Sequence, residues 1–262
     1  MRDPDGQIEL EVRDHVLLIG IDRAEKRNGF TPKMFVELAA AYTRLEQTHE
    51  LRCAVLHALG DHFTAGLDLP KIAPLRQAGK PLIPPEEVDP FNLREPRRTK
   101  PVVIALKGIC FTVAVELMLA ADIAIAADNC RFAQLEVKRG IMAGCGATFR
   151  MVERAGWSNA MRLLLTGDEF TAAEALRCGF VQEVVPPGEE LPHAIDYAER
   201  IARQAPLAVY AMRENAQLAC DQGWQAAVAR IIPTQQRLYN TEDAKEGVRS
   251  FAEKRAAQFE GR

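Results

Sequence analysis

Residues 101–126, PVVIALKGICFTVAVELMLAADIAIA, decide the fold class. Pro101 to Leu106 reads as a strand, Lys107-Gly108 as a turn, Phe111 to Ala121 as an apolar helix and Asp122 to Ala126 as a second strand. Strands alternating with helices imply right-handed crossover units and an α/β core. One residue of this stretch does not belong in a plain core. Glu116 is a carboxylate inside an apolar segment, and such a group must be paired, desolvated or functional. Glu136 raises the same question: it follows the strand-like Arg131-Phe132-Ala133 and opens into a turn rich in glycine, at Gly140, Gly144 and Gly146. Either residue alone fits a buried salt bridge as well as a catalytic role. Together they read as an acid/base pair.

Outward from this centre, residues 7–22 read as two strands around Arg13-Asp14-His15. Thr31-Pro32 is an N-cap with proline at the first helical position, and Met34, Phe35, Leu38, Ala41, Tyr42 and Leu45 follow at helical spacing. Further strands are expected at Cys53–Ala58 and Phe180–Val185, with helical segments starting near Ser158, read as a helix cap, and Thr171. Seven prolines between residues 70 and 100 predict a long irregular loop bordering a substrate channel. After Glu189 only helical patterns remain, broken at Pro206, Gly223 and Asn240-Thr241. The expected organisation is a core over residues 1–188 and a C-terminal helical region over 189–262.

Composition narrows the function classes. The 262 residues are 48% hydrophobic and 26% charged, as in a soluble globular chain with one large core. A net charge of −3 gives no field for a polyanion, so neither nucleic acid nor a membrane surface is expected as a partner. Six cysteines without CxxC spacing suggest reduced thiols, and the N-terminus has no apolar targeting core, so a cytoplasmic location is expected. The five histidines make no metal-ligand spacing, and Gly144-Cys145-Gly146 opens no dinucleotide-binding unit, so neither a metal nor a nicotinamide is expected.

Two turns can supply backbone donors. Asp61 to Leu69 follows a strand and contains small residues at Ala65 and Gly66, and Lys107 to Leu117 runs from a strand into a helix whose first amides lack intrahelical acceptors. Two such amide sources make a candidate oxyanion hole.

These segments resemble the crotonase, or enoyl-CoA hydratase/isomerase, superfamily. The resemblance runs through Asp22–Gly29, Phe63–Leu69, Lys100–Asp122, Phe132–Thr148, Leu165-Thr166-Gly167, Ala172–Val185 and Phe251–Arg255. It implies an α/β crotonase-like spiral of repeated ββα units with a C-terminal helical trimerisation region, and a homotrimer or dimer of trimers. It also implies hydration of a 2-enoyl-CoA thioester through an enolate, with no cofactor, since coenzyme A is part of the substrate. By the same resemblance the catalytic set is Glu116, Glu136, the amides of Leu67 and Val113, and Gly144, whose amide helps place a water. Coenzyme A contacts fall on Arg23, Lys26, Arg27, Ala65, Asp68 and Lys254; solvated surface cations and, for Asp68, a loop-fixing acceptor are the ordinary alternatives.

The chain departs from that pattern at Thr112-Val113-Ala114, where the family's hydratases usually carry a glycine run. A positive φ at Val113 would strain it and misshape the second donor. Leu67 is bulkier than the usual alanine and is similar to dienoyl-CoA isomerases. Enoyl-CoA or dienoyl-CoA isomerisation is therefore the alternative activity, beside a crotonase-type lyase acting on an aromatic acyl-CoA. A non-catalytic RNA-binding member would need a basic surface, which the helix from Thr31 to His49 does not supply, with only Lys33 and Arg44.

Overall fold

The computed structural model describes residues 3–262. Strands β1 (Gln7–Arg13) and β2 (Val16–Asp22) form an antiparallel hairpin with Arg13 opposite Val16. Helix α1 (Pro32–Gln47) starts as the sequence expects, with Thr31 Oγ1 accepting the Met34 N–H. Strand β3 (Cys53–Ala58) precedes α2 (Leu69–Gln77), and β4 (Val102–Leu106), β5 (Ile109–Phe111), α3 (Val113–Ala120), β6 (Ile123–Ala127) and β7 (Arg131–Ala133) build the centre. Then come a short 3-10 turn at Glu136–Arg139, α4 (Ala147–Ala155), α5 (Trp157–Thr166), β8 (Phe170–Thr171), α6 (Ala172–Arg177) and β9 (Glu183–Val185). Helices α7 (Glu190–Ala202), α8 (Pro206–Gln222), α9 (Trp224–Tyr239) and α10 (Glu242–Glu253) complete the chain.

The strands form two sheets. The larger runs β1-β2-β3-β4-β6-β9, parallel after the first hairpin, and the smaller runs β5-β7-β8. Two successive turns of the chain, β4-β5-α3 and β6-β7-α4, each leave one strand in the large sheet and the next in the small one before a helix returns. That is the repeated ββα spiral expected from the sequence. Parallel strands need cover on both faces. Leu17, Ile19 and Ile21 of β2 enter the core with α1 and α3, while Val16 and Leu18 point to the opposite face. There Ala194, Ala198 and Ala202 of α7 pack against Cys53, Val55, Val103 and Ile125, so this first helix of the C-terminal region closes the sheet. No helix among the described residues is long and apolar enough to cross a membrane.

Three local readings need correction. The proline-rich stretch is not wholly irregular: α2 carries Pro70 in its first turn, where the missing N–H has no acceptor to lose, and Pro74 further along. Ser158 does not cap α5; Gly156 does, because its φ of 75° turns the chain between α4 and α5. Helix α4 also goes unannounced, since the glycines before it mask its start.

Helix α3 is buried on all sides, Glu116 included. Cations from outside hold its C-terminal end, where carbonyls lack intrahelical donors. Arg98 donates to Ala120 O at 2.5 Å and pairs with Asp122 at 2.6 Å, and Arg154 donates to Leu119 O at 2.7 Å. The element that carries Glu116 is thus fixed against sliding.

Candidate active site

The first free amide arises from two one-residue bridges. After β3, Thr64 pairs with Cys110: its N–H donates to Ile109 O at 3.1 Å, and the Phe111 N–H donates to Thr64 O at 3.0 Å. Three residues on, the Phe30 N–H donates to Gly66 O and the Asp68 N–H donates to Phe30 O. That parallel register uses the groups flanking Leu67 and turns its own N–H away from Phe30. The Leu67 N–H donates to no protein acceptor among the described residues.

The second amide opens α3. Thr112 N–H donates to Ala133 O at 2.8 Å, and Val113 follows as the first helical residue, its N–H without a protein acceptor among the described residues. The positive φ lies one residue earlier than the strain considered from the sequence, at Thr112 (φ 51°, ψ −104°). Val113 therefore sits in helical backbone and keeps its N–H at the positive end of α3.

Two carboxyls accompany these amides, Glu116 in the first turn of α3 and Glu136 on the wall of a cleft with Leu67. Glu116 is 3% exposed, and its Oε1 accepts the Cys145 N–H at 2.6 Å and the Ala147 N–H at 3.3 Å. Burial pushes its pKa up to about 7; the Cys145 amide opposes that rise, and the nearby charge of Glu136 adds to it. Glu136 is half-buried at the start of the 3-10 turn, with Oε2 sealed from solvent and unpartnered among the described residues. Burial raises its pKa too, opposed by its own backbone amide and by the Gln134 side chain. Neither acid forms an ion pair with a cation among the described residues, so the salt-bridge reading of both falls there. Two carboxyls that burial makes weaker acids are suited to exchanging protons with a substrate, one as base and the other as acid.

That cleft, of about 130 Å³, brings Leu67, Thr112 and Glu136 onto one wall with Ala65 and Arg139, while Val113 and Glu116 follow Thr112 in the first turn of α3 behind it. A roomier hollow of about 390 Å³ between α8 and α9 is mostly apolar, with Asp243 the one carboxyl among the described residues on its wall.

The remaining residues singled out in the sequence divide into two groups. Arg23 is 5% exposed and bound into its surroundings: it pairs with Asp68 at 2.9 Å and donates to Pro4 O and Gly29 O. Those two residues tie their loops to each other. Lys26 and Arg27 are exposed nearby, and the Ala65 N–H donates to Arg27 O, which joins their turn to the cleft wall. Gly144 is exposed on the loop that brings Cys145 to Glu116. Lys254 is exposed at the end of α10 and does not line the cleft.

Sequence reading missed the Cys145 and Ala147 amides as the partners of Glu116. The signal was the adjacent Gly144 and Gly146, which let backbone rather than side chain approach a buried acid.

Known proteins align along nearly the whole chain. The family profile described as enoyl-CoA hydratase/isomerase matches residues 11–262. The (E)-benzylidenesuccinyl-CoA hydratase of Thauera aromatica is 32% identical over 263 residues, covering 97% of this chain and 99% of that protein. Enoyl-CoA hydratase EchA19 of Mycobacterium tuberculosis is 33% identical over 266 residues, covering 99% and 97%. Among solved structures, a probable enoyl-CoA hydratase/isomerase from Mycobacterium abscessus superposes with a TM-score of 0.95 at 45% identity, covering 98% of this chain and 99% of that one.

Proposed function

The chain belongs to the enoyl-CoA hydratase/isomerase family, and from that premise we propose that it adds water reversibly across the 2,3 double bond of a 2-enoyl-CoA thioester. The observation that carries this reading is the pair of acids, half-buried Glu136 on the cleft wall with Leu67 and buried Glu116 in the first turn of α3 after Val113, together with the two unspent amides of Leu67 and Val113.

In the forward direction ionised Glu116 takes a proton from water as the water oxygen bonds to the β-carbon. The π electrons move toward the thioester oxygen, where the Leu67 and Val113 N–H groups receive the developing charge. Protonated Glu136 then gives its proton to the α-carbon, and a proton passing from Glu116 to Glu136 resets the pair. Hydration needs both an activated water and an α-carbon acid. A double-bond shift needs only one such group, so retention of two favours the hydratase over the isomerase. The atoms balance without an electron acceptor, and no cofactor beyond the substrate's own coenzyme A is called for.

Exposed Lys26 and Arg27 are proposed to meet the phosphate end of coenzyme A beside Ala65, with Lys254 reaching it from a neighbouring subunit; Arg23 and Asp68 act beneath them as a structural pair. The chain is also proposed to assemble as a trimer or dimer of trimers. Its C-terminal helices leave Met212, Trp224, Tyr239, Val248 and Phe251 each at least 70% exposed, apolar surface that packing against a neighbouring subunit would cover. Light scattering is expected to give three or six times the chain mass; a monomer would sink the assembly.

The direct test of the activity follows the conjugated enoyl-thioester absorbance. The purified protein is expected to consume short or medium 2-enoyl-CoA and yield the 3-hydroxyacyl-CoA. Recovery of a 3-enoyl product instead, with no oxygen taken from labelled water, would select the isomerase.

A further inference from the structure

Thr112 holds a backbone conformation that its residue type opposes, and the hydroxyl it places there has no partner among the described residues. Its φ of 51° and ψ of −104° make a β-branched residue a genuine outlier. Such angles persist only where the surroundings enforce them, and they gather at active sites and ligand clamps. Here both ends are pinned, since the N–H donates to Ala133 O and the C=O accepts the Glu116 N–H at 3.2 Å.

The ordinary reason for threonine before a helix is missing. Thr31, Thr171 and Thr241 each cap their helices through the side chain, whereas the Thr112 hydroxyl accepts no N–H of α3. Its Oγ1 is buried without a hydrogen-bond partner among the described residues. It faces the Cα of Gly66, where a Cβ would lie 2.7 Å away, and a CH₂ accepts nothing. An unmet buried hydroxyl costs free energy, as does the strained backbone. Both costs fall on one residue, and that residue lines the cleft with Leu67 and Glu136.

We propose that Thr112 is a third hydrogen-bond donor to the thioester oxygen, resting on the reading above that this oxygen sits between the Leu67 and Val113 amides. A turn about χ1 to another staggered well takes the O–H off Gly66 and toward the cleft occupant. The hydroxyl then donates to the oxygen as enolate charge develops, and the strain at φ 51° is what sets the side chain beside that oxygen.

Three variants and two readouts test this. Thr112→Val removes the hydroxyl at constant shape, Thr112→Ser keeps it, and Thr112→Gly relieves the backbone. One readout is kcat for 2-enoyl-CoA hydration. The other is the enolate absorbance of bound acetoacetyl-CoA, which reports stabilised oxyanion without any water addition. Thr112→Val and Thr112→Gly are each expected to lose most of the bound enolate signal and roughly 10- to 100-fold in kcat, toward the effect of deleting one oxyanion donor. Thr112→Ser is expected to keep both, and Thr112→Gly to melt at or above the wild-type temperature, so that its loss is not unfolding.

A threonine merely tolerated at this turn gives the reverse order, with Thr112→Gly as active as wild type or more so, and that order overturns the proposal. So does an unchanged enolate signal in Thr112→Val, or a wild type that does not bind acetoacetyl-CoA. A wild type that forms the bound enolate but adds no water defeats the hydratase reading alone, and the enolate series still judges Thr112.

Discussion

Glu136→Gln is expected to lower kcat for hydration by about 10²- to 10⁴-fold while leaving acyl-CoA affinity within a few-fold of wild type, the range for loss of a positioned proton donor. Glutamine keeps the shape and the acceptor oxygen, but its amide N–H is far too weak an acid to protonate the α-carbon. Glu136 lines the cleft itself, whereas Glu116 lies deeper and is held by the Cys145 and Ala147 amides. The two losses therefore separate in a second measurement. Exchange of the α-proton of a saturated acyl-CoA with deuterated water needs the free amides and Glu136 but not an activated water. It is expected to vanish in Glu136→Gln and survive in Glu116→Gln. Exchange that persists in Glu136→Gln would assign the α-carbon to another group.

What the sequence disclosed, it disclosed through backbone logic. Strand-length apolar runs on either side of an apolar helix had one buried parallel solution, and the large sheet follows it from β2 to β9. The Thr31-Pro32 and Thr171 helix starts were legible because the capping group and the first turn are neighbours in the chain. The burial of Glu116 was legible because an acid among apolar residues is costly wherever it folds, and Glu136 drew notice only by its place between a strand and a glycine-rich turn.

The losses came where geometry depends on residues far apart. The Leu67 amide is free only because Phe30 claims the groups on either side of it, a register that no local pattern encodes. Arg23 and Asp68 are separated by 45 positions, so their mutual pairing was invisible and each looked available to a ligand. Positive φ falling on Thr112 instead of Val113 was equally hidden, since it depends on where β5 ends against β7. Proline count misled over α2, because Pro70 falls in its first turn, where a missing N–H costs nothing, and a helix this short tolerates Pro74 as well.

Glu116→Gln is expected to do two opposite things, abolishing hydration and stabilising the fold above neutral pH. Ionised Glu116 is the base in the proposed reaction, so the wild-type kcat/KM should climb through pH 7, where its carboxyl ionises, and the variant should lose about 10²- to 10⁴-fold. The stability effect follows from linkage. Below pH 4.5, the ordinary value, the carboxyl is protonated in both folded and unfolded chains and contributes no penalty. Between pH 4.5 and about 7 the unfolded chain releases the proton while the folded one retains it, so stability falls as pH rises. Above that window the full cost of holding a charge in the core is present, about 3 kcal/mol from a pKa raised from 4.5 to about 7. Glutamine carries no charge and keeps an oxygen for the Cys145 and Ala147 amides, although its NH₂ group needs a partner of its own. Denaturant unfolding at pH 8 should therefore find the variant more stable by about 1–3 kcal/mol, with the difference closing as pH approaches 4.5. Parallel stability curves for the two proteins across that range would mean that Glu116 ionises at an ordinary carboxylate pH, and the base would then have to be sought elsewhere.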